Sequence, residues 1–547
     1  MRVVIIGGGA AGMSCASRVR ALDPSAHVSV FERSSFVSHA PCGIPYFLEG
    51  LSKISDLMHY PPSFFREKRG IELHLNSEVV EVENGELRVR EGGAERKYFW
   101  DVLVFATGSL PRVPPIENTE LEGAFFVHHP SEAERIAREI EKAERIVIIG
   151  ASYLGVELAE ALSSRGKKVS VIEMFDHPLP DFDPEVVEPL EKEMRSRVQL
   201  LTSERVLALE GDDRVQRVIT DRREIPADLV LFATGVRPNV RIAEEAGVRI
   251  GETHAIEVDE HMRTSVEDIY AAGDCCETVN LVTGKRVWIP LATVANKQGR
   301  VAGANIAGRN LIFPGALGTA IAKIFDLTVA RTGLTEREAT EEGFEFFVSY
   351  VHPYSHATYY PGAERMTIKL IVEKNTERVL GAQIIGRKGV DRRIDVLATA
   401  IQSKMTAEDL FNLDLAYSPP FSSAKDPVNV AGAVADNILR GEVRVITPEE
   451  LAERLRRGDF PFLLDVRNEK EVKKGMIKGA VNIPLDELEE KIDEIPKDRE
   501  VICYCATGLR SYIACRKLMQ RGFRDVKNLT GSWESWIYDE FKVFPEN

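Results

Sequence analysis

The chain has 547 residues and a formal net charge of -15, with 85 acidic side chains against 70 lysines and arginines. This length is too great for one hydrophobic core and predicts three or four domains. The acidic excess argues against a general role in binding nucleic acid or anionic membranes, which requires positive fields. Any anionic ligand must therefore be bound by local arginines and lysines.

The first residues, MRVVIIGGG, lead straight into a strand pattern without a cleavable apolar leader, and no run reaches about 18 apolar residues. Seven cysteines without zinc-ligand spacing are typical of thiols in a reducing compartment. We therefore expect a cytoplasmic protein with no membrane or nucleic-acid partner and no metal site.

A nucleotide-binding unit opens the chain. RVVIIGGGAAGMSCASRVRALDPSAHVSVFER predicts a strand, a glycine turn at Gly7, Gly9 and Gly12, a helix and a second strand. Glu32 lies twenty residues after Gly12, where an acid accepts hydrogen bonds from a ribose hydroxyl. Strand, turn, helix and acid together predict a dinucleotide site.

The same unit recurs as RIVIIGASYLGVELAEALSSRGKKVSVIE, so the sequence predicts two nucleotides. Gly150, Ser152 and Gly155 occupy the turn, with Ser152 in the place of the middle glycine. Glu173 ends the next strand, and no arginine follows it to neutralise a 2′-phosphate. We therefore expect NADH to be favoured, with NADPH possible.

Three further segments follow strands at predicted turns: FATGSLPRVPP, FATGVRPN and TSVEDIYAAGDCC. With the two glycine turns, they make residues 1 to 440 resemble the pyridine nucleotide–disulfide reductases, flavoproteins with two dinucleotide-binding domains. The resemblance implies FAD bound by residues 1–112 and 244–318, NAD bound by residues 113–243, and a dimerisation domain at 319–440, hence a homodimer. The further cofactor-binding residues that it implies are Thr107, Gly108, Gly235, Gly273 and Asp274, the last holding the ribityl chain.

SHAPCGIPY contains a lone cysteine, Cys42, where disulfide reductases carry two. A lone thiol beside a flavin can form a mixed disulfide or be oxidised to a sulfenic acid. The peroxide and oxygen branch of the family has a histidine where this chain has Ala10, so the thiol branch is favoured. The segment resembles coenzyme A disulfide reductases, as do SHATYYPGAE and AYSPPFSSAKDPVN, which implies catalytic roles for Tyr359 and Tyr417 beside the partner subunit's cysteine.

Coenzyme A carries a 3′-phosphate and a pyrophosphate, so its binding requires local positive charge. The basic candidates are Arg18, Arg20, Arg66, Lys68, Arg69 and Lys425, and Ser14, Ser38 and Asn296 match substrate-contact positions of the resembled family.

A fourth domain is predicted at 447–547. Thr447 is placed as the N-cap of a helix with Pro448 at its first position and Glu450 completing a capping box. In VICYCATGLRSYIACRKLMQ, the strand ends at Cys505, and the loop as far as Arg510 directs N–H groups at the sulfur before a helix from about Ser511. This pattern resembles a rhodanese domain, with Cys505 and Arg510 as catalytic residues. The four residues between them set it apart from the tyrosine phosphatase loop, which has five.

The predicted fold is α/β, with two Rossmann-like domains, an α+β dimerisation domain and an α/β rhodanese domain. The leading hypothesis is NADH-dependent reduction of coenzyme A persulfide or polysulfide through Cys42, with sulfur delivered from Cys505. Two alternatives remain open: a coenzyme A disulfide reductase, and a sulfane-sulfur carrier or redox sensor.

Overall fold

The computed structural model describes residues 1–83 and 85–544. They form two compact units, Met1–Pro180 with Glu193–Gly318, and Asp181–Lys192 with the chain from Thr319 onward. Each unit contains two five-stranded sheets and smaller strand pairs or sheets. In these described ranges, no helix is long and apolar enough to cross a membrane.

The first sheet draws strands from both ends of the first unit. Its parallel strands, in spatial order, are Ile269–Ala271, Val102–Phe105, Arg2–Ile6, His27–Glu32 and Glu72–Leu75. The helices Ala10–Leu22 and Ala292–Ile306 pack against each other. A three-stranded antiparallel sheet, Ser77–Glu83, Glu86–Glu91 and Ala94–Phe99, lies between the third and fourth parallel strands in sequence.

The second sheet repeats this arrangement. Its residues lie in sequence between the strands Val102–Phe105 and Ile269–Ala271 of the first sheet. Its parallel strands are Gln199–Leu201, Lys168–Ile172, Arg145–Ile149, Leu229–Phe232 and Ala124–Phe126. The helices are Pro130–Lys142 and Tyr153–Ser164, and Val206–Glu210, Arg217–Thr220 and Glu224–Pro226 form an antiparallel sheet. The apolar runs RVVII and RIVII are buried after their first residue, as expected for central strands of parallel sheets covered on both faces.

The second unit begins with an antiparallel sheet. Its strands, in spatial order, are Ala320–Ile324, Leu327–Gly333, Val379–Gly386, Met366–Glu373 and Phe346–Val351, which makes Phe346–Val351 an edge strand. Its longer helices are Val390–Gln402 and Pro427–Leu439, and the shorter ones are Glu336–Glu341 and Ala407–Asn412.

The last sheet is parallel and has strands Arg444–Ile446, Val526–Leu529, Val501–Tyr504, Phe462–Asp465 and Val481–Asn482. Its helices are Pro448–Arg456, Glu469–Val472 and Leu509–Gln520. The capping box of Thr447 and Glu450 is confirmed, with both reciprocal hydrogen bonds present. The helix after Cys505 begins at Leu509, two residues earlier than predicted, and its N-cap residue, Gly508, donates its N–H to the Cys505 sulfur.

A buried ion cluster lies within the second unit. Asp183, Glu185 and Glu336 are close enough together to bind a metal ion. The fully buried ammonium of Lys369, however, lies 2.7 Å from Asp183 Oδ2, 2.5 Å from Glu185 Oε1 and 2.7 Å from Glu336 Oε2. Although burial alone would lower the pKa of Lys369, Tyr350 and the carboxylates hold it well above its usual value. The cluster is therefore an internal ion network, which Lys369 neutralises in part.

Candidate active site

Two glycines of the first turn are required by backbone packing. A Cβ on Gly7, whose φ is +106°, would lie 2.1 Å from the Ala106 carbonyl oxygen, and one on Gly12 would lie 2.0 Å from the Gly7 oxygen. At Gly9 the nearest atom to such a Cβ is Cε1 of His39, at 3.9 Å. The turn is therefore closed at its ends and open at its centre, where a dinucleotide pyrophosphate approaches the helix N-terminus in this motif.

The second turn has the same closed ends. A Cβ on Gly150 would lie 2.5 Å from the Ala233 oxygen, and one on Gly155 would lie 2.0 Å from the Gly150 oxygen. Ser152 stands in the position of Gly9, and its hydroxyl donates to the Ala233 carbonyl at 2.9 Å. The serine side chain is thus bonded back to the neighbouring strand end, which reduces its hindrance to a nucleotide.

The acids that follow the two turns have matching geometry. The Glu32 carboxylate accepts from the Gly8 N–H at 2.8 Å, and that of Glu173 accepts from the Ala151 N–H at 2.7 Å. Both carboxylates are buried, and each accepts a second backbone N–H from the residue two positions further along. An acid fixed at this position suits a ribose diol and repels a 2′-phosphate.

The two crossing segments pair as antiparallel strands, Ser109–Pro111 with Val236–Pro238. The Thr107 hydroxyl donates to the Asn239 carbonyl at 2.6 Å. Gly108 and Gly235 have φ angles of +66° and +82°, which favour glycine. These contacts fix the turns that follow the strands Val102–Phe105 and Leu229–Phe232.

The late motif lies against the first turn. A Cβ on Gly273 would approach the Ala11 Cβ to 2.8 Å, so the two segments are in direct contact. Asp274 accepts a hydrogen bond from the Ser109 hydroxyl at 3.3 Å, and burial raises the pKa of Asp274. The open centre of the turn, the buried Glu32 and the Asp274 carboxyl together fit the phosphate and hydroxyl groups of FAD.

Cys42 is the exposed cysteine of the chain, whereas the other six are buried. It lies in the helical turn Pro41–Gly43, directly before the helix Ile44–Glu49. Partial desolvation and the negative charge of Glu157 raise the pKa of the Cys42 thiol. The thiol is therefore accessible and largely protonated at neutral pH in this environment.

Glu157 is a site residue that the sequence did not reveal. It lies on the helix Tyr153–Ser164, which packs against the helix that follows Cys42. Burial, and then repulsion from Glu160, raise the pKa of Glu157 to about 7. Its charge also contributes to the raised pKa of Tyr46. Cys42, Tyr46 and Glu157 thus share one electrostatic environment.

Tyr359 and Tyr417 lie together although 58 residues separate them in the sequence. Their hydroxyl oxygens are 3.1 Å apart, and both side chains are exposed. The hydrogen bond from this pairing raises the pKa of Tyr359. Two phenol groups are therefore presented side by side on the surface of the second unit.

A cavity of about 400 Å³ lies in the first unit between the helices Ala10–Leu22 and Ala292–Ile306. Its lining is rich in cations, and it consists of Ser14, Ser17, Arg18, Ala21, Arg69, Asn296, Lys297 and Arg300. Four of these residues were predicted to bind substrate: Ser14, Arg18, Arg69 and Asn296. Lys297 and Arg300 were not predicted; Arg300 lies one helical turn after Asn296, and this spacing could have indicated it.

The cavity has unused hydrogen-bonding capacity. Nε of Arg18 is buried and, among the described residues, has no hydrogen-bond partner. Ser14 donates to the Asn296 carbonyl at 3.0 Å, which ties the two helices together at the edge of the cavity. A cationic cavity with an unpaired guanidinium nitrogen suits a phosphate group.

The other predicted substrate residues do not line this cavity. Arg20 donates to the carbonyls of Arg69, Pro24 and Ala26, and Arg66 donates to the Leu73 carbonyl. These bonds give both arginines a part in holding the local backbone. Lys68 and Lys425 are exposed, and the Ser38 N–H donates to the Gly8 carbonyl. Substrate binding by these five residues stays a prediction.

Cys505 is buried at the end of the strand Val501–Tyr504 and is surrounded by donors. The Gly508 N–H donates to Sγ at 3.1 Å, and the hydroxyls of Ser511 and Ser532 lie 3.5 and 3.9 Å from it. We call these four residues the Cys505 cradle. Burial alone would raise the pKa of Cys505, but hydrogen bonds from the Ser511 hydroxyl and the loop N–H groups hold it below its usual value.

Arg510 interacts with both the Glu471 carboxylate and the Cys505 sulfur, and both raise its pKa. Its two terminal nitrogens donate to the Glu471 carboxylate at 2.7 and 2.6 Å. This bidentate pair orients the guanidinium at the helix start and partly neutralises it. The main donors to the sulfur are therefore backbone N–H groups and serine hydroxyls, and the serines were not singled out from the sequence.

Comparison with known proteins agrees with this geometry. Residues 1–299 match the family model described as pyridine nucleotide-disulphide oxidoreductase, residues 319–427 match its dimerisation domain, and residues 447–539 match the rhodanese-like domain. The chain belongs to the pyridine nucleotide-disulphide oxidoreductase family and carries a C-terminal rhodanese-like domain. Membership implies FAD and a nicotinamide dinucleotide as cofactors.

Particular relatives share the whole arrangement or most of it. The chain is 49% identical over 436 residues, 79% of its length and 98% of the relative, to the NAD(P)H coenzyme A polysulfide/persulfide reductase of Pyrococcus horikoshii. The NAD-dependent persulfide reductase from A. fulgidus has a TM-score of 0.92 at 44% identity, covering 98% of this chain and 100% of that one. Reduced CoADR-RHD of Bacillus anthracis has a TM-score of 0.96 at 36% identity, covering 99% of each.

We expect Glu157→Gln to lower the pKa of Cys42, because the substitution removes a negative charge that raises it. Alkylation of Cys42 by iodoacetamide, followed by mass spectrometry of its peptide, should be severalfold faster in this variant at pH 8. Below about pH 7 the native Glu157 is itself protonated, so the two rates should converge. Glu160→Gln is the matched control, with a smaller expected effect. Identical pH profiles for the native protein and Glu157→Gln would contradict the interpretation.

Proposed function

We propose that this protein is an NADH-dependent flavoprotein that reduces coenzyme A persulfide or polysulfide to hydrogen sulfide, with sulfane sulfur delivered by the rhodanese-like domain. The observation that carries the proposal is the presence in one chain of a lone exposed thiol, Cys42, and of the Cys505 cradle. The names of the P. horikoshii and A. fulgidus relatives, which include persulfide reductase, support it.

The chemistry at Cys42 balances with NADH as the reductant. The Cys42 thiolate attacks the coenzyme A-bound sulfur of the persulfide, a sulfur–sulfur bond forms, and hydrosulfide leaves. When bound, FAD supplies two-electron transfer between the nicotinamide and sulfur. The hydride equivalent of NADH reduces the mixed disulfide to the Cys42 thiolate and the coenzyme A thiol, and NAD⁺ is released. Cys42 therefore needs no second cysteine, because the second sulfur comes from the substrate.

Glu157 and the tyrosine pair are the titratable groups suited to this reaction. Because the pKa of Glu157 is about 7, this side chain can accept the proton of Cys42 and return it at neutral pH. The paired hydroxyls of Tyr359 and Tyr417 can donate to a departing sulfur. We propose that the protein is a homodimer in which the partner subunit's Tyr359 and Tyr417 serve this role, an assignment supported by the match to a dimerisation domain.

The cationic cavity is proposed to bind the phosphates of coenzyme A. Arg18, Arg69, Lys297 and Arg300 supply the positive charge that the acidic chain as a whole lacks. The seven unpaired thiols suit a reducing compartment, so we propose a cytoplasmic location.

We expect Arg300→Gln to raise the KM for coenzyme A persulfide about tenfold or more, the factor for losing one charge-assisted hydrogen bond. The KM for inorganic polysulfide should change little, because that substrate has no phosphate. Sulfide release and NADH oxidation measure both reactions. Arg309→Gln, an exposed arginine just beyond the same helix, is the control. An equal rise for both substrates would contradict coenzyme A binding in the cavity, and native protein that releases no sulfide in repeated turnovers would end the proposed function.

We also expect kcat/KM to be higher for NADH than for NADPH, because the fixed carboxylate of Glu173 repels a 2′-phosphate. Glu173→Ala should lower the ratio of kcat/KM for NADH to kcat/KM for NADPH. Asp176 is an exposed acid nearby, and Asp176→Ala should change this ratio less. Steady-state kinetics with both dinucleotides decide this. A native preference for NADPH would refute the assignment.

A further inference from the structure

The turn formed by residues 530–535 holds one side of the Cys505 cradle. Its Trp533 N–H donates to the Cys505 carbonyl at 3.1 Å, and its Glu534 N–H donates to the Ala506 carbonyl at 3.0 Å. The hydroxyl of Ser532 accepts from the Cys505 N–H at 3.1 Å. The position of this 530–535 turn therefore sets where the serine hydroxyl lies relative to the sulfur.

The turn has a backbone shape that needs support. Gly531 and Ser532 both have positive φ angles, +73° and +55°, and the second of these is unfavourable for a residue with a side chain. The turn lies against the edge strand of the antiparallel sheet. A Cβ on Gly531 would be 2.9 Å from the Tyr350 Cβ, and the Tyr350 N–H donates to the Thr530 hydroxyl at 3.0 Å. Part of its support thus comes from outside the rhodanese-like domain.

His352 follows this edge strand and makes the closest side-chain contacts with the turn. Its Nε2 lies 3.0 Å from the Gly531 carbonyl oxygen and 3.1 Å from the Ser535 hydroxyl, and its Nδ1 lies 3.0 Å from the Thr367 hydroxyl. A carbonyl oxygen can only accept, so Nε2 carries the hydrogen and Nδ1 accepts from Thr367. Burial lowers the pKa of His352 to about 4, so the ring is neutral at neutral pH and is held in one tautomer.

We propose that His352, a residue of the dimerisation domain, is a positioning residue for the sulfur site of the rhodanese-like domain. By donating to Gly531 it holds the 530–535 turn in its left-handed conformation, which keeps the Ser532 hydroxyl beside Cys505. The rhodanese-like domain thus depends on the neighbouring sheet for the geometry of its own nucleophile. The inference rests on the proposed function only in taking sulfur transfer as the reaction that this geometry serves.

The test compares His352→Phe, which keeps a ring of similar shape but no donor, with His352→Gln, whose amide can restore the donor near Nε2. In the full-length protein, the pH dependence of Cys505 alkylation reports the pKa of that thiol without any sulfur donor. His352→Phe should raise this pKa and slow thiosulfate–cyanide sulfur transfer about fivefold, the factor for one neutral hydrogen bond. His352→Gln should restore most of the native Cys505 pKa and most of the native rate of sulfur transfer.

Two outcomes would overturn the proposal: an unchanged alkylation profile in His352→Phe, or equal effects of Phe and Gln, which would mean that the ring only fills space. If His352→Phe fails to fold, Thr530→Val decides, because it removes the bond between the edge strand and the turn. We expect Thr530→Val to raise the pKa of Cys505 by less than His352→Phe would. An unchanged Cys505 pKa in Thr530→Val would refute the proposal. Failure of the native protein to transfer sulfur would count against the proposed function alone, because alkylation of Cys505 would still report its pKa.

Discussion

The proposed chemistry is limited by one constraint: a single accessible thiol, Cys42, has to handle two electrons. Cys42 is exposed while the other six cysteines are buried, so a disulfide within the site would need a sulfur from outside the chain. A persulfide or disulfide substrate provides that sulfur and becomes covalently bound at the same step. The cavity, the tyrosine pair and the sulfur-carrying domain can each be understood as serving a substrate that completes the redox centre.

The two cysteines that we propose to be reactive lie in opposite electrostatic environments. Desolvation and Glu157 raise the pKa of Cys42, whereas hydrogen-bond donors hold the pKa of Cys505 below its usual value despite its burial. Cys505 therefore resembles a stabilised anion, suited to holding a sulfane sulfur. Cys42 is tuned by a carboxyl that titrates near pH 7, so its reactivity responds to the protonation of a neighbour. These different environments agree with the proposal that sulfur is held at Cys505 and reduced at Cys42.

Much of the fold could be predicted because its signals are local. Gly12 and Gly155 are required by contacts with the carbonyls of Gly7 and Gly150 in their own turns, and the capping box at Thr447 spans four residues. The residues missed by the sequence analysis act over long separations. Glu157 affects Cys42 across more than a hundred residues, and His352 meets Gly531 across 179. The ion pair of Arg510 was not predicted either, because its acidic partner, Glu471, lies 39 residues earlier on another helix.

The measurement that tests the account most directly is sulfide release from free coenzyme A persulfide with NADH in the native protein, Cys42→Ser and Cys505→Ser. We predict sustained sulfide release by the native protein and by Cys505→Ser, and none above background by Cys42→Ser with its FAD still bound. The reason is that reduction of a small free persulfide requires Cys42 but not the sulfur carrier Cys505. Near-native release by Cys42→Ser, or its complete loss in Cys505→Ser, would contradict the central claim that Cys42 alone accepts the substrate sulfur.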